Sequence, residues 1–221
     1  MRYDASMMIS NPTEAEALRA EIAALAARMI AEDGADYGSA KRRAAKQLLG
    51  NQKIKGDILP DNSQVESEVR EYNALFFGDS QPQRLFSLRE LAIELMQRLD
   101  RFNPYLVGAV LNGTASKHSD IHLHLYTDNS KEVAIFLLNL DIQYEVSESI
   151  NKKREAMETL SFMYQNEGVH LLIHNHDDLR ASPRADRANL AAVRQLIAQS
   201  QADELENDHR PEDSLQNKPH K

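Results

Sequence analysis

The chain has 221 residues, which suits one domain with additions or two small ones. Hydrophobic residues make up 42% and charged residues 27%, the balance of a soluble globular protein. There is no Cys, which excludes a disulfide framework and a Cys-ligated zinc site, and the net charge of -8 argues against a large nucleic-acid face while leaving room for local basic patches.

The opening MRYDASMMISNPTEAE has no long apolar run behind a basic head, so it does not read as a signal peptide. The longest apolar stretches fall far short of the ~18 residues that span a bilayer. A cytoplasmic location with no membrane partner is the expectation.

Residues 1–12 read as a loose leader. A first helix is predicted from about Thr13, a cap candidate with Glu16 completing a capping box. Its packing face runs Leu18, Ile22, Leu25, Ala26, Met29 and Ile30, and Gly34 ends it. Asp36-Tyr-Gly-Ser39 reads as a second cap, followed by a basic helix from Ala40 to Leu49. Residues 50–63 carry loop signals at Gly50, Gly56, Pro60 and Asp61-Asn62. A third helix is predicted over Ser63–Phe77, with Val65, Val69, Tyr72, Leu75 and Phe76 as its core face, and a fourth over Pro82–Leu99, closed by Asn103-Pro104.

The chemistry then changes. Tyr105–Leu111 is a short apolar run with strand character. Asp120 to Leu125 alternates polar and apolar at every step, the signature of a strand with one polar face. A helix is predicted over Ser130–Asn139 and a third strand over Ile142–Val146. Two more strands, Thr159–Tyr164 and Val169–His174, flank the turn Gln165-Asn166-Glu167-Gly168. Ala181-Ser-Pro183 leads into a last helix ending near Ser200. The tail, 203–221, is rich in acids and carries two prolines, and is expected to be disordered. These readings divide the chain into the leader 1–12, a helical region 13–100, a mixed α/β core 101–202 and the tail 203–221. The fold class is α+β, a helical N-terminal region followed by a mixed sheet flanked by helices.

The segment between the first two strands holds the candidate chemistry. Gly108 and Gly113 permit close approach of backbone to a ligand, and turn N–H groups can bind phosphate oxygens. Asp120, His122 and His124 share one strand face, and an acid beside imidazoles can hold a divalent cation. Carboxylate favours magnesium, whereas added imidazole favours zinc, manganese or iron. By periodicity alone, the same face also fits the solvated side of an edge strand.

The run Gly108-Ala109-Val-Leu-Asn-Gly113-Thr114-Ala115-Ser-Lys-His-Ser119-Asp120-Ile121-His122 resembles the motif of the nucleotidyltransferase superfamily with the polymerase-β-like fold. Many small members of that family read Gly-Ser-x-x-x-Gly-Thr-Ala-x-x-x-Ser-Asp-hydrophobic-Asp. Gly108, Gly113, Thr114, Ala115, Ser119 and Asp120 match without a gap. Ala109 stands where the family has a phosphate-contacting Ser, and His122 where it has a second metal-binding Asp. The chain as a whole, including Asp36-Tyr-Gly-Ser-Ala-Lys-Arg-Arg43 and Leu59-Pro-Asp-Asn62, also resembles a group of proteobacterial proteins that share this altered motif.

The resemblance implies a nucleoside triphosphate, Mg2+ or Mn2+, and transfer of a nucleotidyl group to a hydroxyl of a protein, RNA or small molecule. Asp120, His122 and Glu145 are then the catalytic candidates. Gly108, Gly113, Thr114 and Ser119 would line the phosphates, and Asp120, His122 and His170 would hold metal. Two places correspond to the family's third carboxylate: Glu145, and His170 in Gly168-Val-His-Leu171. The substitutions at Ala109 and His122 motivate a second expectation, a catalytically degenerate copy of the fold that binds a ligand or partner.

Two other features have bland readings. Six basic residues lie in Lys41–Lys55, consistent with nucleic-acid contact but more simply a solvated helix face. His170, His174 and His176 with Asp177 and Asp178 read as chance clustering. No Gly-x-Ser-x-Gly elbow and no Gly-rich loop ending in Gly-Lys-Ser/Thr occurs.

Overall fold

The computed structural model describes residues 12–50, 58–148, 158–181 and 186–208. The described part is an α+β fold of eight helices and one five-stranded mixed sheet, with a helical region ahead of the sheet. Most of the leader, the Lys53 and Lys55 end of the basic run, the Ser182-Pro183 approach to the last helix and residues 209–221 lie outside the described residues.

The first three helices form a layer of their own. Helix α1 (Pro12–Asp33) starts with Pro at its first position, which is preorganised for a helix, so Thr13 falls inside rather than at the cap. Helix α2 (Tyr37–Leu49) is capped as expected, the Asp36 carboxylate accepting from Ser39 N at 2.9 Å. Helix α3 (Asn62–Phe76) carries a full capping box between Asp61 and Gln64. Ile22, Ala26, Ile30, Ala40, Ala44, Ile58, Val65 and Val69 meet in one buried cluster, and the alanines let the helices lie close together.

The α3 stripe differs from expectation. Val65, Val69 and Asn73 are buried at i, i+4, i+8 spacing, whereas Leu75 and Phe76 are 72% and 65% exposed. A helix presents one face, and the stripe through Val65 and Val69 brings Asn73 inward and leaves Leu75 and Phe76 outside.

The second core belongs to the sheet. Its helix α4 (Gln81–Arg98) buries Leu88, Ala92, Leu95 and Met96 with sheet residues, so the division between the cores falls before α4 rather than near residue 100. The strands are β1 (Tyr105–Val107), β2 (Ile121–Tyr126), β3 (Glu145–Glu148), β4 (Glu158–Tyr164) and β5 (Glu167–His174), in the order β1-β2-β5-β4-β3. Only β2 and β5 pair in parallel. The strand predicted over Tyr105–Leu111 stops at Val107. Gly108, at φ +70°, turns the chain into the short helix α5 (Gly108–Asn112), a backbone conformation that side-chain-bearing residues rarely adopt.

Helix α6 (Ser130–Asn139) is as predicted. The β4–β5 turn is two residues long, with Gln165 and Asn166 both at positive φ, as tight hairpins require. A short helix, α7 (Asp178–Ala181), was not anticipated. The last helix, α8 (Leu190–Asp208), runs past Ser200, so 203–208 are helical although the tail was expected to be disordered; the helix-forming residues Gln201, Ala202, Glu204 and Leu205 continue it.

Ile121, Leu123 and Leu125 of β2 are fully buried, as are Val169, Leu171 and Ile173 of β5, in a cluster shared with α4, α5, α6 and α8. The opposite face carries Asp120, His122, His124 and Tyr126. Because β2 lies between β1 and β5, the edge-strand reading of this polar face does not hold.

Candidate functional site

The polar face opens into a cleft of about 920 Å³ whose walls include Arg84, Lys117, Asp120, Glu145, Ser161 and His170. Strand register explains why these residues meet. Val107 pairs with His122, His122 with His170, His170 with Ser161, and Ser161 with Glu145. Cross-strand partners point to the same side, so one row of side chains crosses all five strands.

Asp120 sits at the head of β2, and its carboxylate lies over Gly168. A Cβ at that glycine would stand 2.3 Å from Asp120 Oδ1 and 2.6 Å from its Cγ. Absence of a side chain on the neighbouring strand is what gives the acid its seat. Gly168→Ala is therefore expected to keep the fold but swing Asp120 away from His170. Loss of the hydrogen-bonded His170 imidazole signal in a nitrogen-15 NMR spectrum, with thermal stability little changed, would check this; an unaltered imidazole signal would refute it.

His170 connects two residues. Its Nε2 lies 3.0 Å from Asp120 Oδ2, and its Nδ1 lies 2.8 Å from Ser161 Oγ. With the proton on Nε2, the imidazole donates to the carboxylate and accepts from the hydroxyl, so a Ser–His–Asp run forms. His122 stacks on His170 with ring centroids 4.7 Å apart. Burial depresses the His122 pKa first, the neighbouring His170 lowers it further, and Asp120 opposes both. His122 therefore presents a neutral imidazole near pH 7.

Of the two alternatives for the third acid, the residue in register beside His122 is His170. Glu145 is exposed on β3, two strand spacings (~10 Å) of backbone from His170. Glu167 lies nearby but holds Arg84 through both carboxylate oxygens, one contact at 2.6 Å. That pairing, ahead of the opposing effect of burial, holds the Arg84 pKa above its usual value. No group of three or more His, Asp or Glu among the described residues is arranged to hold a metal ion, which includes the His170/His174/His176 cluster.

The turn between α5 and β2 is clamped by the helical region. Arg89, buried, donates to the Val110 and Leu111 carbonyls and caps the end of α5, while Gln81 Nε2 donates to the carbonyls of Gly113 and Ala115. Arg70 reaches the Asn112 carbonyl, and His118 lies 3.1 Å from the Glu32 carbonyl at the end of α1. Thr114 is 1% exposed, and its hydroxyl contacts Tyr37 Oη and Asn112 Oδ1. The N–H groups of Gly113, Thr114 and Ala115 all point to the Ala109 carbonyl.

The residues expected to line phosphates therefore separate. Gly113 and Thr114 are turned inward and spend their polar groups on the turn itself. Gly108 borders open space, and Ser119 lines the cleft while its hydroxyl accepts from Ser116 N. Ser161, Gly168, Arg84 and Lys117 were not singled out from the sequence. Ser161 and Gly168 become visible once β4 and β5 are registered against β2; Arg84, on a helix 36 residues before Asp120, carries no local signal.

Along the same face, β2 and β5 also bring His124 against His174 in a tilted contact (4.4 Å) and stack His174 on Tyr126 (5.3 Å). The Arg187 guanidinium lies over Tyr105 and Tyr126 and donates to Tyr126 Oη at 2.8 Å.

No protein-family model, curated protein or solved structure matches the chain. No helix among the described residues is long and apolar enough to cross a membrane. The basic face of α2 is partly tied down, Lys41 Nζ reaching the Pro60 carbonyl and Asn62 Oδ1.

Proposed function

We propose that the cleft binds a nucleoside triphosphate together with one divalent cation, Mg2+ or Mn2+, held through Asp120. The chain then acts as a nucleotidyltransferase-like binding or regulatory protein in the cytoplasm. The observation that carries this reading is the seat of Asp120, whose carboxylate is placed over Gly168 in an open cleft with Lys117, Asp141, Glu145 and Glu167 also in its wall. Magnesium commonly takes one or two carboxylates, with substrate phosphates and waters completing its shell. Asp120 fits that role, and Ser119, in the cleft wall, would offer its hydroxyl to phosphate.

The donor set does not fit the pair of ions that nucleotidyl transfer employs. His122 offers a neutral imidazole where the second carboxylate would stand, His170 is engaged with Asp120 and Ser161, and Glu145 is two strands from His170. No transfer step follows from these residues. The test is calorimetric titration of each of the four nucleoside triphosphates with Mg2+, with Mn2+ and with a chelator. Metal-dependent binding is expected; failure of every nucleotide under every condition would end this reading.

A second reading rests on the Ser161–His170–Asp120 run. A hydroxyl bonded to an imidazole that a carboxylate orients is the arrangement of an activated nucleophile. The Ser161 oxygen would attack an ester carbonyl while His170 Nδ1 takes the hydroxyl proton and passes it to the departing alkoxide. Labelling of wild type by a fluorophosphonate, absent from Ser161→Ala, would support it; no labelling of wild type would exclude it.

A further inference from the structure

A second cavity of about 370 Å³ adjoins the cleft and shares Arg84 and Lys117 with it. It lies between the helical region and the clamped turn, with Ala31 of α1, Asn73 of α3, Phe77 and Ser116 in its walls. Asn73 is only 2% exposed, yet neither its amide oxygen nor its amide nitrogen has a hydrogen-bond partner. Arg84 Nε is also buried without a partner, although the guanidinium's outer nitrogens hold Glu167. Buried amides are seldom left unpaired at both ends, because each orphaned group forfeits its hydration. One bound water occupies only about 30 Å³ and needs two to four polar partners, so a single water accounts for little of this space.

We infer that this cavity is the seat of the nucleobase, with Asn73 pairing to a base edge through its adjacent donor and acceptor. This rests on the reading that the cleft binds a nucleoside triphosphate. An amide offers both hydrogen-bonding senses side by side, the complement of a base edge such as that of adenine. The walls supply an aromatic ring and an apolar side chain, and the cations at the junction lie where the ligand would pass from base to phosphates. The volume falls within the ~300–1,000 Å³ typical of small-molecule sites. The helical region thereby becomes part of the binding site rather than a separate appendage.

The test compares the four nucleoside triphosphates with inorganic tripolyphosphate, each with Mg2+, against wild type, Asn73→Leu and Ala31→Met. The first variant removes the amide at similar volume; the second fills the cavity from α1. Circular dichroism and thermal melting establish that each variant is folded, and either variant suffices. At least one nucleotide is expected to bind wild type about ten-fold or more tighter than tripolyphosphate. Either folded variant should lose that advantage while tripolyphosphate affinity stays within about two-fold. Equal binding of nucleotides and tripolyphosphate to wild type, or an advantage undiminished in a folded variant, would overturn the base site and leave the cleft reading standing. Failure of all five ligands to bind wild type would overturn both.

Discussion

Asp120→Ala is expected to weaken metal-dependent nucleotide binding by roughly 10- to 100-fold, the loss that accompanies removal of a charged ligand or charge-assisted bond. Asp120 combines an open cleft with a fixed seat, Gly168 below it and His170 Nε2 beside it, and unlike Glu167 it is not neutralised by Arg84. Asp120→Asn keeps the volume and the hydrogen-bonding oxygen but loses the charge, so it should show nearly the same loss. The reciprocal variant is His122→Asp. It places a second carboxylate two residues along the same face, where only a neutral imidazole now stands. That change should tighten Mg2+-dependent binding relative to wild type. Titration of metal at fixed nucleotide measures both effects. An Asp120→Ala protein that binds metal and nucleotide as wild type does would show that the cation is held elsewhere.

The second large effect is acid destabilisation. Burial pushes the His124 pKa down to about 4, with His174, His122 and Arg187 adding repulsion. Unfolded, the same group takes up a proton near 6.5. Between these values the unfolded chain binds more protons than the folded one, so falling pH draws the equilibrium toward unfolding. The stabilisation is present in full above pH 6.5 and is lost as pH falls through about 4, corresponding to ~3 kcal/mol across the window. Burial lowers His122 and His174 in the same direction, and Asp178 partly offsets it at His174. Urea unfolding of wild type and His124→Gln at pH 7.5 and 4.5 is the measurement. Wild type should lose more stability than the variant on acidification; equal losses would remove His124 as a source of acid sensitivity.

The histidine array and the cleft proposed to bind nucleotide occupy one sheet face, which links these expectations. His122 stacks on His170, and His124 packs at a tilt against His174. Protonation of the buried imidazoles adds charge beside residues that orient Asp120, so acid should weaken the cleft as well as the fold.

Much of the local structure is written in the residues themselves. Asp36 and Asp61 start helices because a carboxylate satisfies free N–H groups at a helix end. The strict alternation from Asp120 to Leu125 placed Asp120, His122 and His124 on one face, because a strand repeats every two residues. The paired strands around Gln165-Asn166 follow from the same periodicity and a turn that tolerates positive φ.

What accompanies Asp120 was decided only in three dimensions. Glu145 and His170 were equal candidates along the chain; the parallel pairing of β2 with β5 put His170 beside Asp120 and left Glu145 across two further strands. Asn73 carries no local signal, because a polar residue at helical spacing gives no sign of burial until residues of α1 and α4 meet it in one cavity. Likewise Gly113 and Thr114 matched the phosphate-binding pattern, yet contacts from α2 and α4 and the turn's own bonds to the Ala109 carbonyl engaged their polar groups. Periodicity and caps are local and survive in any context. Partnership across strands and between helices depends on contacts dozens of residues apart, and no short pattern encodes it.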